Sequence, residues 1–206
     1  MARATTSPPP TLVLFVRHGQ TPTTGKVLPG RAAGLHLADT GQQQARAVAE
    51  RITRLQTDKR KVAAVYASPL ERTRETAAPI SKALGLRTRR HAGLLEADFG
   101  EWTGAELKAL YKLPEWRTVQ RNPSGFRFPG GESFTEMQTR ICGAIQKLCA
   151  THPGETIVAV SHADPIKAAV AHAMGTHLDL FQRIVVSPCS VSAILYGIAG
   201  PIVLAV

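Results

Sequence analysis

The sequence predicts an α/β protein, a three-layer α/β/α sandwich around a mostly parallel central sheet. Three observations carry this. Residues 12–16 (LVLFV), 62–66 (VAAVY) and 156–160 (TIVAV) are short, unbroken apolar runs, the pattern of strands buried on both faces. Segments with apolar residues at helical spacing alternate with them. Glycines and prolines punctuate the boundaries. At 206 residues the chain suits one domain.

Residues 1–11 read as an extended or disordered lead; they hold the run Ser7-Pro8-Pro9-Pro10 and lack the apolar core of a secretory signal. A single domain is expected over 12–206. The first strand is 12–16. A helix over 40–55 places Ala45, Val48, Ala49, Ile52 and Leu55 on one stripe. After the second strand, 62–66, comes a helix over 71–84, closed by Gly85 in the C′ position. Residues 86–91 read as a short edge strand. Residues 92–132 are less periodic and rich in Gly, Pro, Trp and Arg; they read as an excursion that covers the site, with a short helix over 105–111. A helix over 133–150 opens with Ser133 at the N-cap and Glu136 three residues on, a capping box. The third strand, 156–160, precedes a helix over 165–174, with Asp164 as N-cap, Pro165 at N1 and Gly175 as terminator. Residues 184–186 and 191–196 read as late strands, and the tail 191–206 as two short strands around a turn.

Hydrophobic residues make up 44% and charged residues 19%, which excludes disorder, collagen-like repeats and a disulfide scaffold. The net charge of +10 favours anionic partners: phosphorylated metabolites, nucleic acid or an acidic membrane face. Aromatics at 5% weaken base stacking, and no helix-turn-helix or RNP-like string is present, which argues against nucleic acid. The basic clusters 58–61 (DKRK) and 87–90 (RTRR) read as a solvated loop and edge. Cys142, Cys149 and Cys189 cannot form a complete disulfide set; they read as small buried thiols in a reducing compartment, with no zinc spacing. No apolar run reaches the ~18 residues of a membrane span. A cytoplasmic protein is expected, and a homodimer is left open.

Ligands of open α/β sheets bind beyond the carboxyl ends of strands. The first strand runs into Arg17-His18-Gly19, the second into Ser68-Pro69-Leu70-Glu71-Arg72, the third into Ser161-His162-Ala163. If these strands are parallel neighbours, Arg17, His18, Arg72 and His162 converge on an oxyanion site. Guanidinium forks match phosphate oxygens and stay charged. The Ala163 amide, near a helix N-terminus, would add a backbone donor. A histidine with one free ring nitrogen is also a competent nucleophile. Taken singly, each residue has a structural reading; Arg72, for example, could pair with Glu71 or Glu75 on a helix surface. The conjunction of four after three apolar strands favours chemistry.

The string Leu14-Phe15-Val16-Arg17-His18-Gly19-Gln20-Thr21 resembles the RHG signature of the histidine phosphatase superfamily, the phosphoglycerate-mutase-like group. Ser68 to Thr76 resembles its second arginine motif, and Leu94-Leu95-Glu96-Ala97-Asp98-Phe99-Gly100-Glu101-Trp102 its acidic motif. Pro129-Gly130-Gly131-Glu132-Ser133 and Val160-Ser161-His162 resemble the remaining blocks. The resemblance spans about residues 12–175 in the family's order. It implies that His18 becomes a phosphohistidine, that Arg17, Arg72 and His162 hold the phosphoryl oxygens, and that Glu96 is the general acid and base. Asp98 and Glu101 are its nearby rivals. No cofactor and no metal are implied. The chain departs from the family at Thr24, where asparagine is common, and at Ala163, where glycine is common; Thr24 remains a candidate phosphate contact through its hydroxyl.

The short excursion favours a phosphatase on a small phosphorylated substrate over a phosphoglycerate-mutase-type phosphotransferase, the runner-up. Readings from other classes are a basic anion- or nucleic-acid-binding protein and a pseudoenzyme. Arg31, His36, Arg117, Arg121 and Arg127 are candidates for positive charge at the mouth, and Trp102, Tyr111 and Trp116 for an apolar wall.

Overall fold

Strand β4 (Thr156–Ser161) is buried along its whole length, and the sheet is built outward from it. In the computed structural model, which describes residues 8–57 and 60–206, β4 is flanked in parallel by β1 (Thr11–Arg17) and β2 (Val62–Ala67). The strand order is β3-β2-β4-β1-β5-β6. The short β3 (Thr88–Arg90) is parallel to β2. β5 (Val191–Gly197) runs antiparallel to β1, and β6 (Gly200–Ala205) antiparallel to β5, so β5 alone runs against the rest.

Period-two alternation divides each strand between two helical layers. Leu12, Leu14 and Val16 of β1 pack with Val48, Ala49 and Ile52 of α1 (Asp39–Leu55) and with Ala77 and Ile80 of α2 (Glu71–Leu84). Val13 and Phe15 join the opposite core, with Ile141 and Ile145 of α5 (Phe134–Thr151) and Ala168 and Ala169 of α6 (Ala163–Ala173). Each fully buried Val, Leu, Ile or Phe contributes about 1.5–3 kcal/mol relative to exposure. The sandwich expected from the sequence is thus present.

Local signals fix several boundaries. Gly85 ends α2 in the left-handed region at φ 67°, where a side chain is strained. Ser133 caps α5 in the expected capping box, with Glu136 reciprocating. The tail forms two strands around a turn.

Other expectations are corrected. Residues 184–186 form no strand: the edge of β1 is already paired with β5, and the Val186 carbonyl serves Arg17 instead. The edge strand shortens to Thr88–Arg90. The sixth helix begins at Ala163, not Pro165, with His162 at the N-cap; the Asp164 carboxylate turns to Lys167 at 3.3 Å rather than capping. Leu55, placed on the apolar stripe of α1, is half exposed at its end. The helix over 105–111 is only α3 (Leu107–Leu110), and α4 (Pro114–Arg121) follows it, opened by Pro114. Asp58 and Lys59 of one basic cluster, and residues 1–7, lie outside the described residues.

Candidate active site

The carboxyl ends of β2, β4 and β1 lie side by side, in register at Ala67 with Val160 and at Arg17 with Ser161. The ladder continues one residue further. The His18 amide donates to the Ser161 carbonyl (3.0 Å) and the Ser68 amide to the Val160 carbonyl (3.0 Å). His18, Ser68 and His162 therefore emerge together, and the two imidazoles meet edge to face with centroids 5.2 Å apart.

His18 is 6% exposed. Its Nδ1 lies 2.7 Å from the Gly19 carbonyl oxygen, which only accepts, so Nδ1 carries the proton and Nε2 keeps its lone pair. Burial pushes its pKa down to about 3, helped by the charges of Arg72 and Arg17 and opposed by the Gly19 bond. Gly19 is forced by packing: a Cβ there would stand 2.6 Å from the Gly41 carbonyl oxygen.

Arg72 is fully buried, which removes the surface ion-pair reading. Its Nη2 donates to the Gly30 carbonyl (2.7 Å), while Nε and Nη1 find no partner among the described residues. Arg17 donates from Nη1 to the Val186 carbonyl (2.7 Å) and leaves Nε unpartnered. Burial lowers the pKa of both, and Glu96 counters it. His162 has Nε2 2.9 Å from the Ser68 hydroxyl and a buried, unpartnered Nδ1. Burial, then Arg72, holds it well below the ordinary histidine value. An orphaned buried donor costs about 1–3 kcal/mol. The unpartnered guanidinium nitrogens of Arg17 and Arg72, joined by His162 Nδ1 when the Ser68 hydroxyl donates to Nε2, are relieved together by an anion with several oxygens. Ala163, the first residue of α6, adds an N–H that has no intrahelical partner.

Glu96 closes the group. Its loop is pinned to β4 by the Ser161 hydroxyl, which donates to the Leu94 carbonyl (2.8 Å). The carboxylate is 8% exposed and accepts from the Ala97 amide (2.9 Å). Burial pushes its pKa up to about 7, reinforced by the nearby Asp164; the Ala97 amide, Arg72 and Arg17 pull the other way. Its sequence rivals sit elsewhere: Asp98 pairs with Arg31 (3.3 Å), and Glu101 is exposed.

Thr24 lies in the turn after His18, where its hydroxyl accepts from the Thr21 amide (2.8 Å) and stands 3.0 Å from the Thr21 hydroxyl. The charges expected at the mouth are largely spent on neighbours. Arg31 binds Asp98 and Glu132, His36 binds Glu75, and Arg127 binds Glu136; Arg117 and Arg121 are exposed on α4. Trp102 is buried against Phe126 and Phe128 as core, with Trp116 stacked on it and Tyr111 outside. Among the described residues no cluster of three His, Cys, Asp or Glu is placed to hold a metal ion. Sequence reading left Ser68, Glu132 and Arg140 without roles, although Ser68 and Glu132 stand inside the quoted strings.

Fold and site together define an α/β protein whose adjoining strand ends gather two arginines and two buried histidines. Residues 13–206 match the model of the histidine phosphatase superfamily, branch 1. Phosphoserine phosphatase 1 of Hydrogenobacter thermophilus is 32% identical over 157 residues, covering 74% of this chain and 72% of that protein. The bifunctional protein Rv2228c of Mycobacterium tuberculosis is 30% identical over 184 residues, covering 89% of this chain but only 50% of that protein. A solved structure of a phosphoserine phosphatase variant from Entamoeba histolytica with phosphoserine superposes with a TM-score of 0.83 at 23% identity, covering 95% of each chain. The chain belongs to the histidine phosphatase superfamily. It is a phosphomonoester hydrolase of that superfamily.

Proposed function

We propose that the chain hydrolyses a small phosphomonoester in two steps through a phosphohistidine on His18, without a metal. The observation that carries this is the geometry of His18: Nδ1 lies 2.7 Å from the Gly19 carbonyl oxygen and so carries its proton, which leaves the lone pair on Nε2 beside Arg72 and Arg17. In the first step Nε2 bonds to phosphorus as the ester P–O bond breaks, and Glu96 gives its proton to the departing alkoxide. In the second, the Glu96 carboxylate takes a proton from water as that water's oxygen bonds to phosphorus and the P–N bond breaks. Arg17, Arg72, the Nδ1–H of His162 and the Ala163 amide hold the equatorial oxygens, where charge accumulates. The Ser68 hydroxyl, donating to His162 Nε2, keeps that Nδ1 a donor. Thr24 contributes by shaping the turn, with its hydroxyl as a further phosphate contact.

Phosphoserine, the substrate class in the names of two relatives, is the first ester to test. No helix of the described residues is long and apolar enough to cross a membrane, and the three thiols are free, which supports a place in the reducing cytoplasm. The test is turnover of phosphoserine and an aryl phosphate with and without chelator, with rapid acid-free quenching and mass spectrometry. Wild type should retain activity with chelator and show an acid-labile phosphoryl adduct on His18. His18→Ala should lose the adduct and at least ~10³-fold in turnover. An adduct that survives in His18→Ala overturns the assignment.

A further inference from the structure

We propose that Arg140, with Arg31 and Glu132, is a positioning clamp for the Glu96 acid, acting through one peptide group. The inference rests on Glu96 being the general acid. Arg140 projects from α5 and uses its whole guanidinium. Nη1 donates to the Gly93 (3.0 Å) and Leu95 (2.9 Å) carbonyls, Nη2 to the Glu96 carbonyl (3.2 Å) and to Glu132 (2.9 Å), and Nε to Glu132 (2.8 Å). Arg31 reaches the same Glu96 carbonyl through Nε (2.9 Å) and the same Glu132 carboxylate through Nη2 (3.0 Å). Glu132 is thus the hub of two arginines, and the Asp98 carbonyl accepts its own amide (2.9 Å).

The carbonyl held by both arginines and the Ala97 N–H belong to one planar peptide unit. That N–H is the donor to the Glu96 carboxylate at Oε1 (2.9 Å). Fixing the carbonyl end of the plane therefore fixes the direction of the donor, and the donor fixes the carboxyl rotamer. Two cations on the carbonyl also polarise the peptide and strengthen its N–H as a donor. With Oε1 occupied, Oε2 is the oxygen left to carry the proton. Arg31 adds a second consequence. It follows Gly30, whose carbonyl orients Arg72, so one short loop sets both a phosphate-binding guanidinium and the acid.

The experiment compares Arg140→Met with wild type on phosphoserine, a poor leaving group, and p-nitrophenyl phosphate, a good one. The clamp predicts a roughly 10- to 100-fold loss of kcat on phosphoserine, as a misplaced acid gives, and a much smaller loss on the aryl ester. It also predicts that the alkaline limb of the phosphoserine profile moves to higher pH, because a weakened Ala97 bond leaves only Arg72 and Arg17 to oppose burial and Asp164 at the carboxylate. A purely structural role would lower both activities equally and leave the limb in place; that outcome, or no loss at all, overturns the proposal. Arg31→Met, on the more exposed arm, is judged by the same criteria if Arg140→Met does not fold. Glu96→Ala is run alongside. Equal losses on both esters there would remove the acid assignment itself, whereas a leaving-group effect in Glu96→Ala but not in the arginine variants would remove only the clamp.

Discussion

His18 and His162 stand edge to face, ring centroids 5.2 Å apart, each fixed by a different neighbour: His18 by the Gly19 carbonyl and His162 by the Ser68 hydroxyl. Neither ring can hold a proton on both nitrogens without placing an imidazolium beside Arg17 and Arg72. The pocket is therefore cationic through its arginines alone, and its histidines act as neutral groups.

Anion binding should stabilise the fold. Arg72 is fully buried with two donors unpartnered, so inorganic phosphate or orthovanadate relieves a cost already present. At a hundredfold excess over Kd the gain is about 2.7 kcal/mol, read as a rise in Tm. Arg72→Lys should lose most of that rise and about 10²- to 10³-fold in kcat/KM, because an ammonium cannot keep the Gly30 bond and still present a fork.

The rate should carry an alkaline limb. As the proposed acid, Glu96 assists the leaving alkoxide only while protonated, and burial pushes its pKa up to about 7. Above that value kcat/KM on phosphoserine should fall about tenfold per pH unit, while p-nitrophenyl phosphate stays nearly flat. Glu96→Gln should abolish the limb along with most of the phosphoserine activity. An unchanged limb in that variant would assign it to another group.

Stability should depend on pH with two opposed signs. His18 and His162 stay neutral in the fold but take up protons when unfolded below about 6.5, so stability is lost as pH falls through that value, for His18 down to about 3. Each contributes a slope of up to roughly 1.4 kcal/mol per pH unit. Glu96 has the raised value, so its contribution is lost as pH rises from 4.5 to about 7. Urea midpoints between pH 4 and 8 should therefore climb more steeply in Glu96→Gln than in wild type, and less steeply in His18→Asn. Three parallel curves would show that these groups titrate as if exposed.

Gly19→Ala should be far more damaging than its size suggests. The added Cβ would meet the backbone oxygen of Gly41 at 2.6 Å and its Cα at 3.1 Å, atoms with no rotamer to yield. The expected cost is about 1–3 kcal/mol, or several degrees in Tm, with the phosphoryl adduct on His18 reduced as well.

The legible parts of this molecule are those in which one side chain has one reason to be where it is. β1, β2 and β4 are legible because burial on both faces makes Leu12–Val16, Val62–Val65 and Ile157–Val160 unbroken apolar runs. α2 was readable because Gly85 has a backbone conformation that few residues share. His18 and Arg17 follow directly from the end of β1, and Arg72 stands a few residues beyond β2, so strand ends bring them together. Residues 184–186 misled because a β-like composition says nothing about whether an edge is free to pair. Asp164 misled because its carboxylate had a choice between the helix end and Lys167. Arg140 was invisible because three of its five bonds end on main-chain oxygens, which every sequence has and none advertises.

The strands that carry His18 and His162 are immediate neighbours in register, so interstrand spacing works as a ruler for the two imidazoles. Drift of a helix or lengthening of a surface loop leaves that gauge unchanged. The acid, by contrast, rides on a separate segment held by side-chain bonds. Exchanging the stretch between Glu96 and Glu132, with both carboxylates kept, should thus retune which alcohol departs while leaving the spacing of the two imidazoles untouched.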